Sequence, residues 1–258
     1  MKQSTSSTET LSTLLSKYSK HSDYQLLHPS ICDVVCHNYQ PTGKKEAERQ
    51  SYMESNLGFS KKTVLDIGAN TGYFSFGALQ AGASVVTAVE GNSEHARFID
   101  EAVRLLNIEK QLTVKNDYYD FASTDTNRFD IILCLNVLHH LGDDFGDARI
   151  DLEGAKAEIT KSFRNMASNT NWMWFQLGYN WKGNLCNPLF PHGQKNELIK
   201  FVEKTCEDSW FIEKIAVYNP ITKAYEDAQE YLLERFDKLG EFLNRPLFLL
   251  HSRKKNSL

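Results

Sequence analysis

The chain has 258 residues, 41% of them hydrophobic and 24% charged, with a formal net charge of −4. That composition reads as soluble and globular rather than disordered, and the length alone does not require two cores. The acidic balance supplies no broad basic field to collect phosphates, which disfavours a nucleic-acid partner, and no run of about 18 apolar residues is present to span a membrane.

The N-terminus opens on a Ser/Thr-rich stretch without an apolar segment, so no secretion signal is expected and the first eight residues read as disordered. Five cysteines, an odd number with no Cys-x-x-Cys pair, point to a reduced, cytoplasmic setting. Residues 1–62 read as a tail and helical cap, with helices over Leu11–Tyr18 and Glu46–Leu57 and a mixed stretch from Leu26 to Tyr39. Residues 63–258 read as the main domain. Its strands are expected at Thr63–Ile67, Val85–Val89, Leu112–Val114, Asp130–Leu135, Trp172–Leu177, Trp210–Val217 and Leu247–His251. Helices are expected between them: Tyr73–Ala81, one capped by Ser93 with Ala96, Ile99, Val103 and Leu106 on one face, one from Leu152 to Met166, and Glu197–Cys206. A further helical stretch is expected from about Ala224 to Leu243. Strands alternating with helices indicate a mostly parallel sheet covered on both faces.

The chemistry concentrates at the first strand. Val64-Leu65-Asp66-Ile67-Gly68-Ala69-Asn70-Thr71-Gly72 is a buried strand ending in a glycine turn that opens a helix. Gly68 and Gly72 let the backbone turn tightly and approach a ligand. Glu90 ends the next strand, where an acidic side chain can take two ribose hydroxyls. A dinucleotide loop would carry Gly-x-Gly-x-x-Gly, but Asn70 stands at the second glycine, and Asp66 would repel a pyrophosphate. Carboxylates instead favour a ligand bearing a sulfonium and an ammonium.

These segments resemble the motifs of the class I, Rossmann-like S-adenosylmethionine-dependent methyltransferases. Val85 to Asn92 resembles the acidic-strand motif, Asn116-Asp117-Tyr118 the adenine-binding turn, and Phe129 to His140 the fourth-strand motif of the metabolite-type enzymes. The resemblance covers roughly Thr63 to Leu177. It implies seven strands in the order 3-2-1-4-5-7-6, the last antiparallel, and S-adenosylmethionine as cofactor with S-adenosylhomocysteine as product. It further implies that Gly68, Ala69 and Asn70 line the methionine part, with Asp66 orienting the loop. Glu90 would bind the ribose, Asn92 and Asp117 would flank the adenine, and Leu135 and Asn136 would lie beside the sulfonium, with Gly72, Gly91 and Tyr118 also among the cofactor-binding residues.

On the acceptor side, His139 and His140 follow the fourth strand and are the expected proton acceptors, with Asp143 and Asp144 next in line. Tyr179, Asn180, Trp181 and His192 are expected to line an acceptor pocket beyond the strand ends. No metal is assigned. Asn136-x-x-His139-His140 with His192 stands where small-RNA 2′-O-methyltransferases carry Glu-x-x-Glu-His, but both glutamates are missing. His28, Cys32, Cys36 and His37 lie in an apolar segment better suited to packing than to zinc. The expected function is O- or N-methylation of a small polar metabolite or glycan. The alternatives are a tRNA methyltransferase, which a basic stripe of Lys44, Lys45, Arg49, Lys61 and Lys62 would favour, and a binding module without turnover.

Overall fold

A computed structural model describes residues 11–17, 21, 24–32, 43–123 and 128–254. The expected disordered tail, Cys36, His37 and Tyr39 lie outside the described residues. The chain divides into two compact units, residues 1–119 and 120–258.

In the first unit three parallel strands lie in the order β3-β2-β1: β1 Thr63–Ile67, β2 Val85–Val89 and β3 Leu112–Lys115. Helix α1 spans Glu46–Asn56, α2 spans Tyr73–Gln80 and α3 spans Ser93–Leu106. The cap of α3 is Asn92, not the expected Ser93, because the Asn92 side chain accepts from Glu94 N and His95 N at 3.0 and 3.1 Å. Such a cap is worth about 1 kcal/mol to the helix. Ala96, Phe98, Ile99, Ala102 and Val103 then form the buried face. Part of the N-terminal region packs on α2: His28 meets Tyr73 edge-on at 5.3 Å, and the Arg49 guanidinium lies 5.0 Å from the Phe74 ring centre. A side chain at Gly77 would collide with the Gln50 amide at 2.8 Å, so α1 and α2 approach closely there.

The second unit orders its strands β4-β5-β8-β6-β7. These are β4 Phe129–Leu135, β5 Thr170–Gln176, β6 Trp210–Asn219, β7 Ala224–Asp227 and β8 Leu247–Ser252. β4 and β5 are parallel, while β8 runs antiparallel to both of its neighbours, β5 and β6. Ile131 to Cys134 are fully buried in β4, as a continuous apolar run requires. Each such large side chain contributes ~1.5–3 kcal/mol on burial. Helices α4 (Leu152–Asn165) and α5 (Lys195–Cys206) accompany these strands, and Asp151 caps α4 through Gly154 N at 2.8 Å.

Two expectations are corrected here. The described residues form eight strands rather than the expected seven, because β7 pairs antiparallel with β6. The same finding removes the long helix expected from Ala224 to Leu243. Past β7 that segment holds two short 3₁₀ turns and one helical turn, Gly240–Leu243. Buried Tyr225 packs edge-on against its cross-strand partner Tyr218, which fixes β7. Lys195, fully buried, donates to the carbonyls of Leu232 and Glu234 at 2.8 and 2.7 Å, using oxygens that a helix would have kept for itself. Among the described residues no helix is long and apolar enough to cross a membrane.

Candidate active site

In the first unit the end of β1 and the end of β2 are tied together. Gly68 N and Ala69 N donate to the Val89 carbonyl at 2.8 and 3.2 Å. Gly68, Asn70 and Gly72 all have positive φ, at 69°, 54° and 83°. Glycine and asparagine are the residues that enter this region at least cost. Glu90, 8% exposed, accepts from Asn70 N at 2.7 Å through one oxygen and from Asn92 N at 2.8 Å through the other. Two backbone amides therefore fix its orientation between the glycine loop and the start of α3. A carboxylate carries roughly four lone-pair sites, enough for hydroxyl donors in addition to these amides.

Asp66 lies beneath, 3% exposed, and accepts from Ser75 Oγ at 2.7 Å. Burial pushes its pKa up to about 7, against the Ser75 hydrogen bond and with help from the nearby Glu90 charge. Asn116 Nδ2 donates to the Glu90 carbonyl at 3.1 Å, bringing the turn after β3 to the same place. Any side chain at Gly91 would run into the Tyr118 ring, which is half exposed. Asp117 is exposed and accepts from Tyr118 N at 2.8 Å. Asn92 joins the site with its side-chain oxygen already committed to capping α3.

Gln25 escaped the sequence reading. Its Oε1 accepts from Tyr73 N at 3.0 Å and from Thr71 Oγ1 at 3.2 Å. It thus takes an amide at the start of α2, where a dinucleotide would rest its pyrophosphate. No local pattern marks a lone glutamine for this task.

In the second unit, Leu135 is half-buried and Asn136 is buried with φ 64°. His139 is 2% exposed, and its Nδ1 accepts from Gly178 N at 3.3 Å. A side chain at Gly178 would strike the His139 ring at 2.6 Å. The two histidine rings lie 4.2 Å apart, and His140 Nδ1 stands 3.3 Å from Asp144 Oδ2. Of the expected pocket residues, Tyr179 is buried with its hydroxyl donated to the Asn244 carbonyl at 2.8 Å. Trp181 is also buried, and its indole N–H goes to Leu141 O at 2.6 Å. Asn180 bridges to Pro188, and His192 is exposed at the start of the turn leading to α5. Among the described residues His139, His140 and His192 do not converge as a ligand set. His28 instead contacts Ser30 through Nδ1 at 2.8 Å, and Cys32 donates to Leu27 O at 3.4 Å.

Residues 65–155 match the family model described as a methyltransferase domain. The match covers about a third of the chain, and this segment is similar to the class I S-adenosylmethionine-dependent methyltransferases. A stretch of 66 residues, 26% of the chain, is 35% identical to the histone-arginine methyltransferase CARMER of Drosophila ananassae, and the match spans 12% of that protein's length. The fold is similar to that of a putative RNA methyltransferase from Pyrococcus horikoshii, with a TM-score of 0.50 and 17% identity over 95% of this chain and 98% of that one. It is also similar to the bifunctional kinase-methyltransferase WbdD, at a TM-score of 0.56 and 17% identity over 93% of this chain and 46% of that one. At these identities the likenesses speak to the Rossmann-like α/β fold.

The family's methyl donor is S-adenosylmethionine, and the groups of the first unit fit it. An oriented carboxylate suits ribose hydroxyls, a second carboxylate beneath the loop suits a cationic ligand, and the amide a phosphate would need is already taken by Gln25. Two outcomes follow. Glu90→Ala should weaken S-adenosylmethionine binding by about 1.5–3 kcal/mol, the value of a hydrogen bond to a charged group. Isothermal calorimetry on the folded variant checks this, and unchanged affinity would place the ribose elsewhere.

The second outcome concerns pH. Because the folded pKa of Asp66 is raised, its contribution to stability is complete below about pH 4 and is lost as pH rises through about 7. A cationic ligand favours the ionised carboxylate, so cofactor affinity should climb as pH rises through about 7, with proton release. Asp66→Asn should flatten both dependences. Calorimetry in buffers of different ionisation enthalpy reads the proton, and an equal pH slope in wild type and variant would exclude Asp66 as its source.

Proposed function

We propose that this protein methylates an oxygen or nitrogen of a small polar molecule, a sugar-containing metabolite or a glycan end among them. The observation that carries the acceptor class is the state of the basic stripe that an RNA substrate would need. Arg49 is 2% exposed, 4.0 Å from the equally buried Glu46 and facing Phe74, so it offers no charge to solvent. Lys45 is held by Glu48 at 3.1 Å. What remains of the stripe is Lys44, Lys61 and Lys62, on a chain of net charge −4.

In the first unit the cofactor-binding residues are Asp66, Gly68, Ala69, Asn70, Gly72, Glu90, Gly91, Asn92, Asp117 and Tyr118; in the second unit they are Leu135 and Asn136, at the end of β4. Residues 24–32 and α1 support the glycine loop and α2 from the N-terminal side, through Gln25, His28 and Arg49. When bound, S-adenosylmethionine supplies a methyl group on a sulfonium, and the S–C bonding pair leaves with sulfur. The protein's task is to align the acceptor, exclude water and take the acceptor proton.

His140 takes that proton. Gly178 N–H donates to His139 Nδ1, so neutral His139 carries its own proton on Nε2 and presents a donor there. His140 is half-buried, and its Nδ1 stands 3.3 Å from the Asp144 carboxylate, which favours the imidazolium formed when the proton is taken. The acceptor class is tested by binding. Weak RNA binding with a shallow salt dependence agrees with the proposal, whereas tight binding whose logarithm falls steeply with the logarithm of salt would favour the RNA alternative.

A further inference from the structure

Where β4 and β5 end and β8 begins, three side chains close a ring. Arg245 Nη1 donates to Asn136 Oδ1 at 2.8 Å, Asn136 Nδ2 donates to Gln176 Oε1 at 2.8 Å, and Gln176 Nε2 returns to the Arg245 carbonyl at 2.9 Å. All three residues are buried. The other edge of the guanidinium meets both oxygens of Glu241, at 3.0 and 2.7 Å, and Glu241 also accepts from Tyr179 N at 2.9 Å. Each end of the Asn136 carboxamide therefore has a partner, while its backbone is held at φ 64°. Asn136 N also donates to the Gln176 carbonyl at 2.8 Å, so the residue is fixed at main chain and side chain alike.

This arrangement is costly as a way to stabilise a fold. A buried ion pair roughly breaks even against well-packed apolar side chains, because both charges lose their water. What it does secure is one orientation of the residue it surrounds. Glu241 also neutralises the guanidinium, so the ring brings no uncompensated positive charge to the end of β4. Burial raises the Glu241 pKa, but the facing Arg245 outweighs it and holds the carboxyl below its ordinary value. A neutral, rigid ring is the support that a residue beside a cationic ligand needs.

We propose that Arg245 is a positioning residue for methyl transfer: it holds Asn136 at the end of β4 in the one arrangement that receives the cofactor. The proposal rests on the reading that Asn136 lines the S-adenosylmethionine site. Arg245 stands in the sequence Asn244-Arg245-Pro246, about 110 residues beyond the fourth-strand motif, and reaches the end of β4 through Asn136.

The test measures S-adenosylmethionine affinity by calorimetry and the melting temperature, on Asn136→Ala, Arg245→Met, Arg245→Lys and the double variant Asn136→Ala/Arg245→Met. Arg245→Lys keeps a cation for Glu241 but cannot span Glu241 and Asn136 together. Each single variant should weaken binding about tenfold, the scale of one lost charge-assisted hydrogen bond. The double variant should bind no worse than the weaker single, because both act through one group. Arg245→Lys should lose affinity while melting within a few degrees of wild type, which a merely structural arginine would not do. Normal binding by Asn136→Ala would overturn the site reading and the proposal with it. Weak binding by Asn136→Ala with normal binding by Arg245→Lys, or losses that multiply in the double variant, would overturn the proposal alone.

Discussion

Gly68→Val should abolish S-adenosylmethionine binding while leaving a soluble, folded protein. The backbone at Gly68 has φ 69°, a region that a β-branched residue enters only with strain. The same residue donates its N–H to Val89 O, so a shift to relieve the strain would pull the loop away from β2. Asn70, two residues on, would then lose its 2.7 Å bond to Glu90, and the carboxylate would lose its orientation. Loop geometry and ribose recognition should fail together. Calorimetry should detect no binding, and circular dichroism should show the fold retained. Binding at wild-type affinity would mean that the loop does not approach the ligand.

His140→Ala should keep cofactor affinity and lose roughly 10²–10⁴-fold in turnover, the usual value of a general base. The ascending limb of the pH–rate profile should disappear with it. His139→Ala should behave differently. It removes a buried ring that accepts from Gly178 N and leaves a cavity, so its first effect should be on stability, about 1–3 kcal/mol for the unsatisfied amide. If both variants turn over normally, the pair is structural and the reaction proceeds by alignment alone. If His139→Ala alone loses the ascending limb, the assignment between the two rings is reversed.

The strand, turn and helix at the start of the first unit's sheet were legible in the sequence because their signals are local. A buried strand, two glycines and an acidic residue 20 positions on fixed the β1 turn and Glu90, and the β4 apolar run predicted a strand buried along its length. The cap of α3 was missed by one residue, since Asn92 and Ser93 are both good caps and only the hydrogen bonds separate them. The error over Ala224–Leu243 has a tertiary cause. The stretch is rich in helix formers, but Tyr225 pairs with Tyr218 across β6, and Lys195 captures the carbonyls of Leu232 and Glu234. Gln25 and the Arg245–Asn136 contact were invisible for the same reason: Gln25 reaches Thr71 across 46 residues and Arg245 reaches Asn136 across 109, and neither sits in a pattern that announces it. The buried states of Arg49, Tyr179 and Trp181 likewise follow from packing.

The most direct measurement is transfer of labelled methyl from S-adenosylmethionine into cell extract separated into small molecules, glycans, RNA and protein, with wild type beside Gly68→Val and His140→Ala. Label in the small-molecule or glycan fraction, lost with both variants, is the expected result. Label confined to RNA or protein, or none from a wild-type protein that binds the cofactor, would contradict it.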